Sequence, residues 1–152
     1  LLSAQNRKRL YWTNIPFDRD INDKGIVMQD ILEDGILSTD ANREMIIRDS
    51  FKTSKDGLIR VGTADLKGHD SIKRVYAQEG KAPTLTTMQG GHREPKVAVT
   101  KDMWRKLTPL ECERLQTIPD NYTNHVSNSQ RYKMIGNGWT VDVIAHILKG
   151  VQ

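Results

Sequence analysis

Two helices close this sequence, and ahead of them only one stretch has the alternating, β-rich character of a full strand; that order constrains the fold more than any other feature. The first of the two helices is the clearest element. Thr108-Pro109-Leu110-Glu111 supplies a capping hydroxyl, a proline at the first helical position and a glutamate three residues after the cap, which together answer the N–H groups that a helix start leaves open. The expected helix runs to about Thr117 and stops at Pro119, which cannot continue it. The last helix is expected from about Gly138-Trp139, with Val141, Ile144, Ile147 and Leu148 as its buried stripe and Gly150 at its end.

The strand candidate is residues 7–15, rich in aromatic and β-branched side chains and closed by Pro16. On a strand, Gln5, Arg7 and Arg9 share one face, and Leu10 and Trp12 share the other. A lone strand cannot bury both faces, so its sheet partners are expected on polypeptide outside these 152 residues. Residues 26–32 read as a short helix with Gly35 placed to cap it. Residues 36–66 are weakly patterned and are assigned no element. Around residues 73–87 the chain turns extended, with Val75, Ala77 and Pro83-Thr84-Leu85-Thr86-Thr87 as short strands broken at Gly80 and Gly90-Gly91.

Composition narrows the classes of function. The length fits one domain or a piece of a larger one, and the chain begins without Met, in mid-pattern, as a fragment would. No apolar stretch is long enough to span a bilayer, and the amino terminus has no secretion-signal order, so no membrane partner is expected. A single cysteine, Cys112, excludes an internal disulfide and makes a reducing cytoplasm the expected location. His69, His92, His125 and His146 lack metal-ligand spacing, so no zinc site is expected. The net charge of +4 is unevenly placed: residues 18–40 are acid-rich, whereas Lys67, Lys73, Arg74, Lys81, Arg93 and Lys96 lie among glycines and small polar residues. A basic, glycine-bearing stretch can lay its backbone against phosphates, although an ordinary solvated surface explains charge alone equally well.

Four segments, taken in order, resemble the later motifs of the DNA (cytosine-5) methyltransferase family. Gln5-Asn6-Arg7-Lys8-Arg9 is similar to its Gln-x-Arg-x-Arg segment. Arg74-Val75-Tyr76, then Gly80-Lys81-Ala82-Pro83-Thr84-Leu85-Thr86 and Gly90-Gly91, resembles the end of its target-recognition region. The run from Arg105 to Gln116 leading into Pro119-Asp120-Asn121-Tyr122 resembles the ninth motif, and Gln130-Arg131-Tyr132-Lys133-Met134-Ile135-Gly136-Asn137 the tenth. Each segment alone is a weak signal; four in order at workable spacings form a specific one. The tenth motif departs from its usual form at Gly138-Trp139-Thr140-Val141, where Trp139 is more like the animal de novo enzymes, as are Tyr122-Thr123 and Val126-Ser127-Asn128.

The resemblance implies an α/β fold: the carboxy-terminal fragment of a class I, Rossmann-like, S-adenosylmethionine (SAM)-dependent methyltransferase with a small β-rich target-recognition region inserted. It divides the chain into an edge strand of the catalytic domain (1–16), the recognition region (17–103) and helices returning to the catalytic domain (104–152). The family flips its target base out of duplex DNA, adds a cysteine thiolate to carbon 6 and methylates carbon 5. The Pro-Cys nucleophile and the Glu-Asn-Val segment of that chemistry are absent from this sequence, so the chain alone is expected to be inactive and to need an amino-terminal half, on the same or a separate chain. Cys112 matches a scaffold cysteine of the ninth motif and is expected to be a small apolar core residue.

By the same resemblance Arg9 contacts the flipped cytosine, Arg7 the nearby backbone or a carboxylate, and Asn137, Gly138 and Trp139 line the cofactor pocket. Guanidinium forks suit both a phosphate and the carbonyl edge of a pyrimidine; a surface ion-pairing strand is the bland reading. For Asn137, between two glycines at an expected helix start, the bland reading is a simple N-cap. Lys73 and Arg74 are candidates for gripping phosphates. Thr86, Thr87, Met88, Gln89, Gly90 and Gly91 are candidates for base edges, with His92 and Arg93 extending the loop. A plain solvent loop is the rival for each residue singly. Two rival functions are a DNA-binding specificity subunit without catalysis and part of a transfer-RNA cytosine-5 methyltransferase. A bacterial or phage origin is expected, with double-stranded DNA as partner.

Overall fold

A left-handed turn at Gly57, closed by bonds from Gly57 N to Ser54 O (3.0 Å) and from Ser54 N to Leu58 O (2.8 Å), folds two long strands into a hairpin. The computed structural model describes residues 2–35, 43–88 and 90–151. The hairpin strands are β1 (Arg43–Thr53) and β2 (Ile59–Ala64), followed by the single-turn α1 (Asp70–Lys73) and by β3 (Arg74–Tyr76), β4 (Lys96–Ala98) and β5 (Met103–Lys106). The strands close into a barrel in sequence order, antiparallel throughout except for the parallel β3–β4 pair, with β5 returning to pair with β1. Three helices then follow, α2 (Pro109–Leu115), α3 (Asn128–Asn137) and α4 (Val141–Leu148).

Alternation along the strands sorts the core into two parts. Val61, Ala64, Val75 and Trp104 of β2, β3 and β5, with Ala77 just past β3, form one cluster, as the filling of a small barrel must be. The intervening residues Tyr76 and Val97 face outward into a second cluster, where Met28, Ile31, Leu85, Leu107, Cys112, Leu115 and Ile135 join the barrel to α2 and α3. Between these clusters stands a buried ion pair: Arg105 on β5 donates to Glu111 on α2 at 2.6 and 2.8 Å. The same carboxylate accepts from Thr108 N (2.8 Å) and from Glu33 N (3.0 Å), so one side chain caps α2 and ties it to the barrel and to the 3-10 turn at Met28–Ile31. The capping box read from the sequence is present, with Pro109 opening the helix, which ends at Leu115.

Several sequence expectations need correction. Residues 7–15 form no strand: only Gln5 bridges in parallel to Ala82, and beyond it Leu10 and Trp12 stand 79% and 87% exposed. Strand-forming side chains give a strand only where a neighbour completes the ladder. Residues 36–66, assigned no element, include β1 and β2; those of 36–42 lie outside the described residues. The extended stretch 83–87 is unpaired, and the short helix expected at 26–32 is a 3-10 turn of four residues. α3 was not anticipated at all. Its composition, Asn-Ser-Gln-Arg-Tyr-Lys-Met-Ile-Gly-Asn, buries only Ile135 and Gly136 and leaves no legible apolar stripe. α4 starts at Val141 rather than at Gly138-Trp139, and of its expected stripe only Ile147 is buried, while Val141 and Leu148 are about half exposed. Among the described residues no helix is long and apolar enough to cross a membrane.

Candidate functional site

Three separated segments meet at the amino-terminal stretch. Asn6 N donates to Ala82 O (2.8 Å), Ala82 N to Ala4 O (2.7 Å), and Thr84 Oγ1 to Asn6 O (2.5 Å), so residues 4–6 and 82–84 run side by side. Buried Gln5 accepts from Leu85 N at 2.8 Å and donates to Leu115 O at 3.3 Å and Gln116 Oε1 at 3.4 Å. Gln116, also buried, donates to Ile135 O (2.8 Å) and accepts from Thr140 Oγ1 (3.0 Å). Its backbone oxygen takes the first amide of α4, Val141 N, at 2.9 Å. The two glutamines thereby fix the ends of α2, α3 and α4 against the 82–85 segment. A buried amide pair of this kind must be fully bonded to be tolerated. Sequence reading missed the role of both residues, although Gln5 and Gln116 each stood inside a recognised motif.

Arg7 extends the junction. Its guanidinium donates to Leu85 O (3.0 Å), Gly138 O (2.9 Å) and Gly136 O (3.4 Å), spanning from the 82–88 segment to the turn between α3 and α4. Burial, and then the charge of Arg9, lower its pKa from the ordinary arginine value; the group stays charged. Arg9 is exposed, and among the described residues its guanidinium donates only to the adjacent Lys8 O at 2.7 Å. The two arginines therefore do not act as a parallel pair on a strand. Arg7 is committed to the chain's own carbonyls, and Arg9 reaches outward. Both line a cavity of about 700 Å³ whose lining also includes the apolar Phe17, Ile21, Val143 and Ile147. Lys8 pairs with Asp56 (2.8 Å), and Lys81 donates to Ile26 O (2.6 Å) and Ser3 O (3.1 Å), securing the rim.

Asn137 ends α3 instead of starting a helix, and Gly138 is the residue that caps that end. Gly136 approaches the chain's own backbone closely: a Cβ there would lie 1.8 Å from Thr86 O. Asn137 is exposed, and the Trp139 indole beside it is 63% exposed. These two side chains, with the backbone at Gly138, stand on the same turn that Arg7 holds.

The remaining candidates fall in two places. Thr86 and Thr87 lie against Gly136, within the junction. Met88 is buried with a left-handed φ of +49°, and Gly90, Gly91 and His92 follow at +70°, +65° and +59°; Gln89 lies outside the described residues. Gly91 and Arg93 are exposed. Lys73 and Arg74 sit elsewhere, where α1 meets β3. There Asp70 accepts from Arg74 at 2.9 Å and from Arg60 at 2.6 and 3.1 Å. Hydrogen bonds from Arg60 and Arg74 hold the Asp70 carboxyl down at about 2. Arg60, a second arginine on this face, was not singled out from the sequence.

Cys112 is fully buried, and burial followed by the neighbouring Glu111 charge pushes its thiol well above the ordinary range. A thiol so placed resists becoming a nucleophilic thiolate. It packs instead among Leu107, Leu115 and Ile135. Among the described residues no group of three or more His, Cys, Asp or Glu is arranged to hold a metal ion.

A family profile described as C-5 cytosine-specific DNA methylase matches residues 3–152. The orphan methyltransferase M.SPBetaI of Bacillus phage SPbeta is 37% identical over 142 residues, covering 60% of this chain and 32% of that protein. The type II methyltransferase M.HhaI of Haemophilus parahaemolyticus is 28% identical over 158 residues, covering 94% of this chain and 47% of its own length. A shorter match to the orphan methyltransferase M.Rho11sI of Bacillus phage rho11s is 68% identical over 41 residues, 27% of this chain and 8% of that one. The chain thus spans between about a third and a half of the first two relatives.

Proposed function

This chain belongs to the C-5 cytosine-specific DNA methylase family, and from that premise we propose that it supplies target recognition and one wall of the reaction pocket in a DNA (cytosine-5) methyltransferase that uses SAM. The observation that carries the proposal is the Arg7 bracket. One guanidinium joins the Gln-x-Arg-x-Arg segment to the 85–87 stretch and to the 136–138 turn, each of them independently a candidate for substrate, DNA or cofactor contact. The proposed division of the chain is a scaffold segment at 1–16, a recognition region built around the barrel, and helices that return beside the catalytic half.

Within this scheme Arg7 is a positioning residue, and Arg9, exposed at the cavity beside it, contacts the flipped cytosine. SAM would provide the methyl group, with Asn137, Gly138 and Trp139 forming part of its pocket. The open side chains of Asn137 and Trp139 fit that task, whereas Gly138 offers backbone shape, since its carbonyl is already engaged by Arg7. Thr86, Thr87, Gln89, Gly90, Gly91, His92 and Arg93 would face base edges, and Lys73 and Arg74 the phosphates. The nucleophilic thiolate would come from polypeptide beyond these residues, because Cys112 is inside the core.

The test is Arg9→Ala in the enzyme assembled from this chain and an amino-terminal half that carries Pro-Cys. Loss of a charged donor made useful at the reaction centre lowers turnover roughly 100-fold, while duplex affinity changes by less than about threefold, since Arg9 contributes one exposed contact among many. Normal turnover in Arg9→Ala contradicts the role given to it.

A further inference from the structure

The left-handed run at Gly90, Gly91 and His92 needs something to hold it, because a non-glycine residue such as His92 gains nothing from that conformation by itself. The holder is a buried cation. Lys96, at the start of β4, is only 2% exposed, and its ammonium donates to His92 O at 2.6 Å and to Glu94 O at 2.9 Å. On its other side it lies 5.7 Å from the ring centre of Trp104, the indole that plugs the barrel and donates to Glu44 O at 2.9 Å. Glu94 turns its carboxylate the other way, to Lys106 of β5 at 3.0 Å. The loop is thus fastened to the buried barrel cluster that contains Trp104.

We propose that Lys96 is a positioning residue for DNA recognition, its ammonium setting the shape in which Gly90, Gly91, His92 and Arg93 meet the duplex. This rests on the reading of that loop as DNA-facing. No phosphate needs to touch Lys96, and burial excludes it from such contact. Its effect is transmitted through two carbonyls.

The arrangement carries a pH signature. Burial lowers Lys96 from about 10.5 to about 8, against the opposing charge of Glu94 and with reinforcement from Lys106. Those are the charged groups that bear on it; Trp104 and the β3 neighbour Val75 are neutral. Between these two values the folded chain has released a proton that the unfolded chain still binds, so the contribution of Lys96 to stability rises with pH. The grip on the loop moves the other way, because a neutral amine makes weaker hydrogen bonds than an ammonium. Stability and DNA affinity are therefore uncoupled across this window.

The experiment measures binding of the full chain, wild type and Lys96→Met, to a fluorescein-labelled duplex pool with randomised central base pairs, across neutral to mildly alkaline pH, with thermal denaturation alongside. Expected for wild type is a rise in Kd of about threefold from pH 7 to 9, as a charge-assisted bond is replaced by a neutral one, without a matching fall in Tm. Lys96→Met binds about tenfold more weakly at pH 7, for loss of both carbonyl contacts, and its profile is flat over the same interval. Equal affinity and an unchanged profile in the variant overturn the proposal. Should the variant fail to fold, a flat wild-type profile overturns it equally. Absence of any duplex binding by wild type at pH 7 removes the functional reading, and this inference with it.

Discussion

Gly136→Ala is expected to cost about 3 kcal/mol or more of stability, the upper end of what overpacking causes, and to lower Tm by about 10 °C in a chain of this length. A methyl group at this position would lie 1.8 Å from Thr86 O, 2.4 Å from Thr86 C and 2.8 Å from Thr87 N. All three atoms are backbone, so no side-chain rotation relieves the overlap, and α3 must move off the 86–87 segment. The same shift draws Gly136 O and Gly138 O away from Arg7, so the site is lost together with the packing. Gly138→Ala is the control. Its added carbon would meet Ile135 O at 3.3 Å with φ at −69°, and its cost stays below about 1 kcal/mol. Thermal unfolding of the two variants gives the comparison, and equal Tm values contradict the packing described.

The second large effect is at Glu111. Replacing it by Ala leaves Arg105, whose side chain is 4% exposed, as an unpaired buried charge, a situation that costs about 3–5 kcal/mol. It also removes the acceptor for Thr108 N and Glu33 N, so the cap of α2 opens at the same time. The double change Glu111→Leu with Arg105→Met should be less damaging than Glu111→Ala alone, because both charges then leave together. Urea unfolding of the single and double variants measures the coupling. A double variant less stable than Glu111→Ala would show that the pair is not the main link between β5 and α2.

How much of this was legible beforehand differs by element. The α2 start was fully written in the chain, because Thr108, Pro109 and Glu111 act within one turn and need no distant partner. Residues 7–15 had the right side chains for a strand, but a strand is a relation between two segments, and the backbone pairing with Ala82 goes no further than Asn6. α3 escaped because it packs through a glycine against a backbone and not through an apolar stripe. Of the barrel, β3 alone was visible, and β4 (Lys96–Ala98) and β5 (Met103–Lys106) were not read as strands. β3 showed its alternation, whereas β1 and β2 pair across an irregular register between Ile47 and Lys52, which hides any simple repeat. For the candidate site, the motifs singled out Arg7, Arg9 and the 136–139 turn, and Arg7 does reach that turn through Gly136 O and Gly138 O. The motifs could not reveal that Arg7 spends its donors on three carbonyls while Arg9 donates, among the described residues, only to Lys8 O. Gln5, Gln116 and Lys96 are likewise readable only after folding, since each is a polar residue whose partners lie in backbone brought from elsewhere.

The most direct measurement is transfer of a labelled methyl group from SAM to cytosine in duplex DNA, by this chain alone and by this chain co-expressed with an amino-terminal half bearing Pro-Cys. The combination should methylate carbon 5, and the chain alone should transfer nothing. Methylation by the chain alone, or none by a folded combination that still binds the duplex, would contradict the account.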